Sequence, residues 1–120
     1  MANAIRQIAS QTEPVGRVLD GWLTKDNLNI QKVSIPIGVI AIIYESRPNV
    51  TSDTASLCFK SGNVCVLKGG KEAENSHRAI AKIIQNVLEK NNLPKEIVSL
   101  LPDSSREGVA KLIEIGRAHV

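Results

Sequence analysis

Two lysines bracket a glycine pair in Lys68-Gly69-Gly70-Lys71, and a shorter polar cluster, Glu45-Ser46-Arg47-Pro48-Asn49, precedes it along the chain. Ammonium groups beside glycine N–H donors are the makings of a cradle for phosphate. In the earlier cluster an arginine fork can grip a carboxylate or phosphate, and Pro48 fixes one backbone angle beside it. Both clusters also have plain readings. Gly and Lys are common turn residues, and Arg47 can pair with Glu45 while Asn49 caps a helix. A Walker A loop is excluded, because alignment on Gly70-Lys71 puts Cys65 where the first glycine belongs and Glu72 where Ser or Thr should hold magnesium. No G-x-G-x-x-G is present. Cys58 and Cys65 belong to no C-x-x-C or Cys/His cluster and read as buried free thiols. His77 and His119 read as solvent-facing. Asn49-Val50-Thr51 is formally a glycosylation acceptor, discounted because no secretion signal accompanies it.

The elements that must position these clusters follow from hydrophobic pattern. Val39 to Tyr44 is nearly all apolar, the signature of a strand covered on both faces and hence of a parallel sheet with flanking helices. Pro48 forbids an immediate helix. Asn49, Thr51 or Ser52 then caps one whose Ala55, Cys58 and Phe59 or Leu57 face the sheet, and Lys60-Ser61-Gly62 ends it. Val64 to Leu67 is a second buried strand. After the glycine pair an amphipathic helix is expected from about Ser76 to Asn91, with Ala79, Ile80, Ile83, Ile84, Val87 and Leu88 on one face. Ile97 to Leu101 reads as a third strand, Pro102-Asp103-Ser104-Ser105 as a turn with capping residues, and Arg106 to Ile113 as the start of a helix. The order predicts an α/β fold with a three-strand parallel sheet and right-handed crossovers. Ligands of such sheets bind at the carboxyl ends of the strands, where both polar clusters fall.

Ahead of this unit, Met1 to Ser10 has helical spacing and looks like the end of something longer. Glu13-Pro14-Val15-Gly16 breaks it. The Trp22 region leads through the turn Thr24-Lys25-Asp26-Asn27 into a strand-like stretch, Leu28 to Ile35, whose apolar pairs slip phase and predict a bulge near Gln31-Lys32. At the other end, Glu114 to Val120, E-I-G-R-A-H-V, can be encoded by triplets that resemble a widely used sequencing adapter, with a stop following. This tail is expected to be non-native, and the natural product to continue beyond about Ile113. The expected organisation is 1–35, a helix end plus extended strands; 36–113, part of a nucleotide-binding α/β domain; and 114–120, the tail.

At 120 residues, 42% hydrophobic and 22% charged, the chain has the composition of one globular domain. A compact domain of this size removes roughly 65% of its unfolded surface from water. The net charge of +3 is dispersed, and Trp22, Tyr44 and Phe59 are the only aromatics, which argues against nucleic-acid binding. The longest apolar stretch falls far short of a membrane span, and the amino terminus lacks the plan of a secretory leader. A cytoplasmic location is the default, with no membrane partner.

The runs G-V-I-A-I-I-Y-E-S-R-P-N-V-T and K-S-G-N-V-C-V-L-K-G-G-K-E-A resemble the gamma-glutamyl phosphate reductase (glutamate-5-semialdehyde dehydrogenase) family of the aldehyde dehydrogenase superfamily. The similarity extends from about Met1 to Ile113. It implies part of a Rossmann-like fold and an NADP-dependent reductase of proline biosynthesis, converting L-glutamyl 5-phosphate to L-glutamate 5-semialdehyde and phosphate. The family's nucleophilic cysteine lies in a later catalytic domain, and neither Cys58 nor Cys65 matches its position, so this stretch alone is expected to be inactive. By resemblance Lys68 is the lysine that meets the adenosine ribose or its phosphate, with Gly69, Gly70 and Lys71 completing the NADP(H) site. Lys71 falls where NAD-using relatives often carry an acid. Ser46, Arg47 and Asn49 are implied as substrate contacts, and Asn49 as an oxyanion donor, although the spacing to Ser61-Gly62-Asn63 differs by a couple of residues from the superfamily pattern. No metal is implied. The Asp20 to Ile35 strands look like those that help subunits associate, so a homo-oligomer is expected. The competing readings are a stand-alone phosphate or nucleotide-binding module and an aldehyde dehydrogenase relative with another acyl substrate.

Overall fold

The protein is described here by a computed structural model covering residues 1–102 and 105–117. Asp103, Ser104 and His119, to which the sequence assigns a turn, a cap and a solvent-facing ring, lie outside the described residues. The elements run α1 (Ala2–Ser10), β1 (Val18–Leu23), β2 (Asn29–Val33), β3 (Val39–Ile43), α2 (Pro48–Lys60), β4 (Val64–Lys68), α3 (Glu74–Lys90), β5 (Val98–Leu100) and α4 (Arg106–Arg117). Short 3₁₀ turns, Lys71–Ala73 and Lys95–Ile97, lead into α3 and β5.

β3, β4 and β5 form the expected parallel sheet in that order. β4 lies in the centre, and Cys65 and Leu67 on it are fully buried. The core joins these two to Val98 of β5, Ala55 and Cys58 of α2 and Leu88 of α3, so both crossover helices cover the same face. The other face is open on β3 but not on β4, where Val64 and Val66 are half-buried and Lys68 is buried. Val39, Ala41 and Ile43 are exposed while Ile40 and Ile42 point into the core, so β3 alternates instead of being buried on both sides. Two crossovers lying on one face leave the other face of an edge strand open.

The helices correct several expectations. α2 begins at Pro48 itself, because a proline at the first helical position gives up an N–H that has no intrahelical partner anyway. The N-cap is Arg47, without a side-chain cap bond, so Asn49, Thr51 and Ser52 do not cap; the Ser52 hydroxyl instead donates to the Asn49 carbonyl at 2.9 Å. Ala55 and Cys58 face the sheet, whereas Leu57 and Phe59 are half-exposed. α3 buries His77, Ala81 and Leu88 with Ile84 beside them, and Ala79, Ile83 and Val87 stay exposed. Phe59, Ile83 and Val87 instead join Ile5 and Leu93 along an open apolar groove of about 590 Å³ between α1, α2 and α3. α2 ends as expected, with Gly62 in the left-handed region at φ +75°, where an added Cβ would also lie 2.9 Å from Pro36 Cγ. α4 runs to Arg117, past the apolar pattern that ends at Ile113.

β1 and β2 make a separate antiparallel hairpin around the Thr24–Asn27 turn, every residue of both strands being exposed. The irregularity sits on β1, where Leu19 is the extra residue between Val18↔Val33 and Asp20↔Lys32, and not within Gln31-Lys32. A pattern that slips phase on one strand can be absorbed by a bulge on its partner. The projecting hairpin also explains why the accessible surface, 8740 Å², exceeds the roughly 6300 Å² of a compact monomer of this mass. The burial expected of one compact core is therefore not reached.

Candidate functional site

Parallel pairing brings the two polar clusters together. Ile43 is in register with Lys68, and the Tyr44 N–H donates to the Lys68 carbonyl at 3.0 Å, so both strands release their loops at the same sheet edge. The loops then touch. A Cβ built on Gly70 would lie 2.5 Å from Ser46 Oγ and 3.1 Å from the Ser46 backbone nitrogen. Only a residue without a side chain permits this approach with its neighbour undisturbed.

Lys68 is 9% exposed, and its ammonium donates to the Gly69 carbonyl at 2.9 Å. Among the described residues no carboxylate pairs with it, so a buried positive charge faces the loop junction with donors to spare. Lys71 is exposed at the start of the 3₁₀ turn. Glu45, Arg47 and Asn49 are exposed and Ser46 is half-buried. The simple reading of an Arg47–Glu45 ion pair is not what forms: the Arg47 backbone N–H donates to the Glu45 carbonyl at 2.9 Å, and the one ion pair among the described residues is Arg78 with Glu74. The Arg47 guanidinium is thus not tied to its neighbour. Glycine backbone and cations without a carboxylate partner are the chemistry that can receive an anion; no group of three potential metal ligands occurs among the described residues.

Beneath the junction lies a cluster that sequence reasoning missed. His77, expected at the surface, is 1% exposed. Its Nδ1 is 3.1 Å from Thr51 Oγ1, which is 2.5 Å from the Tyr44 hydroxyl, and the Tyr44 and His77 rings meet edge-on with centroids 5.1 Å apart. Burial pushes the imidazole pKa below its ordinary value and the phenol's above its own, so both groups are neutral near pH 7. The signal was present: His77, Ala81, Ile84 and Leu88 recur at helical spacing, and extending that stripe toward the start of α3 buries the histidine.

Cys58 and Cys65 are buried free thiols, as expected. Burial pushes both upward, Cys65 to about 12 with Cys58 nearby adding to the effect, so neither supplies a thiolate.

No family model matches the chain. It is 80% identical over 114 residues to the gamma-glutamyl phosphate reductase of Aliarcobacter butzleri, which covers 95% of this chain and 28% of that protein. It is 74% identical over 117 residues to the enzyme of the same name from Sulfurimonas denitrificans, covering 98% of this chain and 28% of the relative. The crystal structure of gamma-glutamyl phosphate reductase from Thermotoga maritima superposes with a TM-score of 0.89 at 41% identity, over 92% of this chain and 27% of that one. The chain therefore spans a little over a quarter of the length of these relatives.

Proposed function

We propose, for a chain that over its span belongs to the gamma-glutamyl phosphate reductase family, that the joined loops hold the adenosine end of NADPH in a reductase acting on L-glutamyl 5-phosphate. The product is L-glutamate 5-semialdehyde with release of phosphate, in proline biosynthesis, and the setting is a cytoplasmic homo-oligomer. The observation that carries the reading is the contact of Gly70 with Ser46, which makes one surface of two strand-end loops.

On that surface Lys68 meets the adenosine ribose or its phosphate, the Gly69-Gly70 backbone permits close approach, and Lys71 faces the 2′-phosphate. Arg47, whose guanidinium is not spent on Glu45, is placed for an anionic group of the substrate; Ser46 and Asn49 supply further polar contacts, Asn49 as oxyanion donor. The cofactor supplies a hydride when bound. Cys58 and Cys65 stay protonated in the core and are not the nucleophile.

The test is titration of the chain with NADPH and NADH, read by nucleotide fluorescence. Wild type is expected to prefer NADPH, and Lys71→Glu, which turns an attraction of about 1 kcal/mol into a repulsion, to shift the preference toward NADH by about tenfold or more. An unchanged ratio, or no saturable binding of NADPH, would refute the reading.

A further inference from the structure

The glycine at position 69 is tied to the buried histidine as closely as Gly70 is to Ser46. A Cβ built on Gly69 would fall 2.4 Å from His77 Cδ2, 2.6 Å from Nε2 and 3.0 Å from Cγ, so the imidazole fills the space a side chain there would take. The ring lies directly against the Lys68–Gly70 turn. Its own placement is fixed elsewhere: Nδ1 by Thr51, which is fully buried on α2, and Thr51 in turn by the hydroxyl of Tyr44, the residue that leaves β3 and begins the opposing loop. The far nitrogen, Nε2, is buried without a hydrogen-bond partner among the described residues. Gly69 meets the ring only by van der Waals contact, and among the described residues the one hydrogen bond that sets its orientation is at the Thr51 end.

We infer that Tyr44, Thr51 and His77 form a positioning chain for the nucleotide loop, in which hydrogen bonds between α2, α3 and the end of β3 set the ring that supports Gly69 and thereby hold Gly70 against Ser46. The three side chains act through the turn and need touch no ligand. The inference rests on the proposed cofactor role for its consequence in binding, but the positioning itself can be read without any nucleotide.

Thr51→Val removes the hydroxyl and keeps the shape; Thr51→Ser keeps the hydroxyl. Amide hydrogen exchange of the unliganded chain, followed at the Tyr44 and Arg47 N–H groups that donate to the Lys68 and Glu45 carbonyls beside the turn, with Val66 and Leu67 of β4 as internal standards, reads the turn junction directly. Thr51→Val is expected to speed exchange at these turn-junction amides about fivefold, the loss expected of one net hydrogen bond, with β4 unchanged. Thr51→Ser should restore the wild-type pattern, and Tyr44→Phe should loosen the same amides to a smaller degree. Unaltered turn exchange in both Thr51→Val and Tyr44→Phe, or acceleration spread equally over turn and β4, would overturn the inference. If Thr51→Val does not fold, Tyr44→Phe decides by the same pattern. NADPH titration of the same variants is a separate reading: weaker binding that tracks faster turn exchange supports the link to the cofactor, whereas no binding by wild type condemns the cofactor role and leaves the exchange result standing.

Discussion

Gly69→Ala should be the most damaging small substitution in the candidate site. The new methyl group meets three imidazole atoms at 3.0 Å or less, and the ring is 1% exposed and bonded through Thr51, so it has no free direction in which to move. Overpacking a closed site costs about 1–3 kcal/mol, and displacing the ring also forfeits the Thr51 hydrogen bond, about 1 kcal/mol, giving about 3 kcal/mol in all. Gly70→Ala should cost about 1 kcal/mol, near the lower bound, because its worst contact is a serine hydroxyl that can rotate away, although the Ser46 backbone nitrogen at 3.1 Å must also yield. Urea denaturation followed by circular dichroism reads both, and with a slope of about 1–3 kcal/mol per molar urea the Gly69 change should lower the midpoint by about 1–3 M. Combining Gly69→Ala with His77→Ala isolates the cause. Once the ring is gone the methyl group has room, so the pair should be less destabilised than the sum of the two single variants by about 2 kcal/mol. Strict additivity, or a Gly70→Ala cost equal to that of Gly69→Ala, would refute the claim that the imidazole forbids a side chain at position 69.

The same histidine predicts a pH dependence. Burial lowers the folded pKa below the ordinary 6.5, so as pH falls below that value the unfolded chain takes up the proton first; stability present above 6.5 is lost as pH falls toward the folded value. The uncharged groups Tyr44, Thr51 and Gly69 face the ring and offer no counter-charge. Urea midpoints measured between about pH 8 and about pH 5 should fall more steeply for wild type than for His77→Asn, and equal slopes would contradict the assignment. Cys58 and Cys65 should resist an aromatic disulfide reagent at about pH 8 until urea unfolds the chain, since both are buried and protonated; rapid labelling of the native protein would contradict this.

Hydrophobic pattern was enough to read the strand, helix, strand unit, the parallel sheet and the two polar loops, because apolar runs and Gly or Pro punctuation are local properties of the chain. The same local view failed wherever a neighbour decided the outcome. Ile83 and Val87 have the spacing of a core stripe, but α2 and α3 share one sheet face, and the stripe that meets the sheet is rotated to His77, Ala81 and Leu88. The helix pattern offers Phe59 or Leu57 to the sheet, but both are half-exposed, and Phe59 lines the groove beside α1.

Residue types and order alone determined that two polar loops, one carrying Arg47 and the other Lys68-Gly69-Gly70-Lys71, would leave the carboxyl ends of parallel strands, since apolar runs, punctuation and a parallel sheet's polarity require no partner to be recognised. Only the tertiary structure decided which glycine touches what. Gly70 meets Ser46 and Gly69 meets His77 across separations along the chain that no period or motif encodes, and half-buried Tyr44 with buried Thr51 and His77 owe their pairing to the end of β3, α2 and α3 coming together. The physical reason is that a hydrogen bond or a close contact depends on positions in space, whereas the periodicity of a helix or strand specifies only which residues share a face.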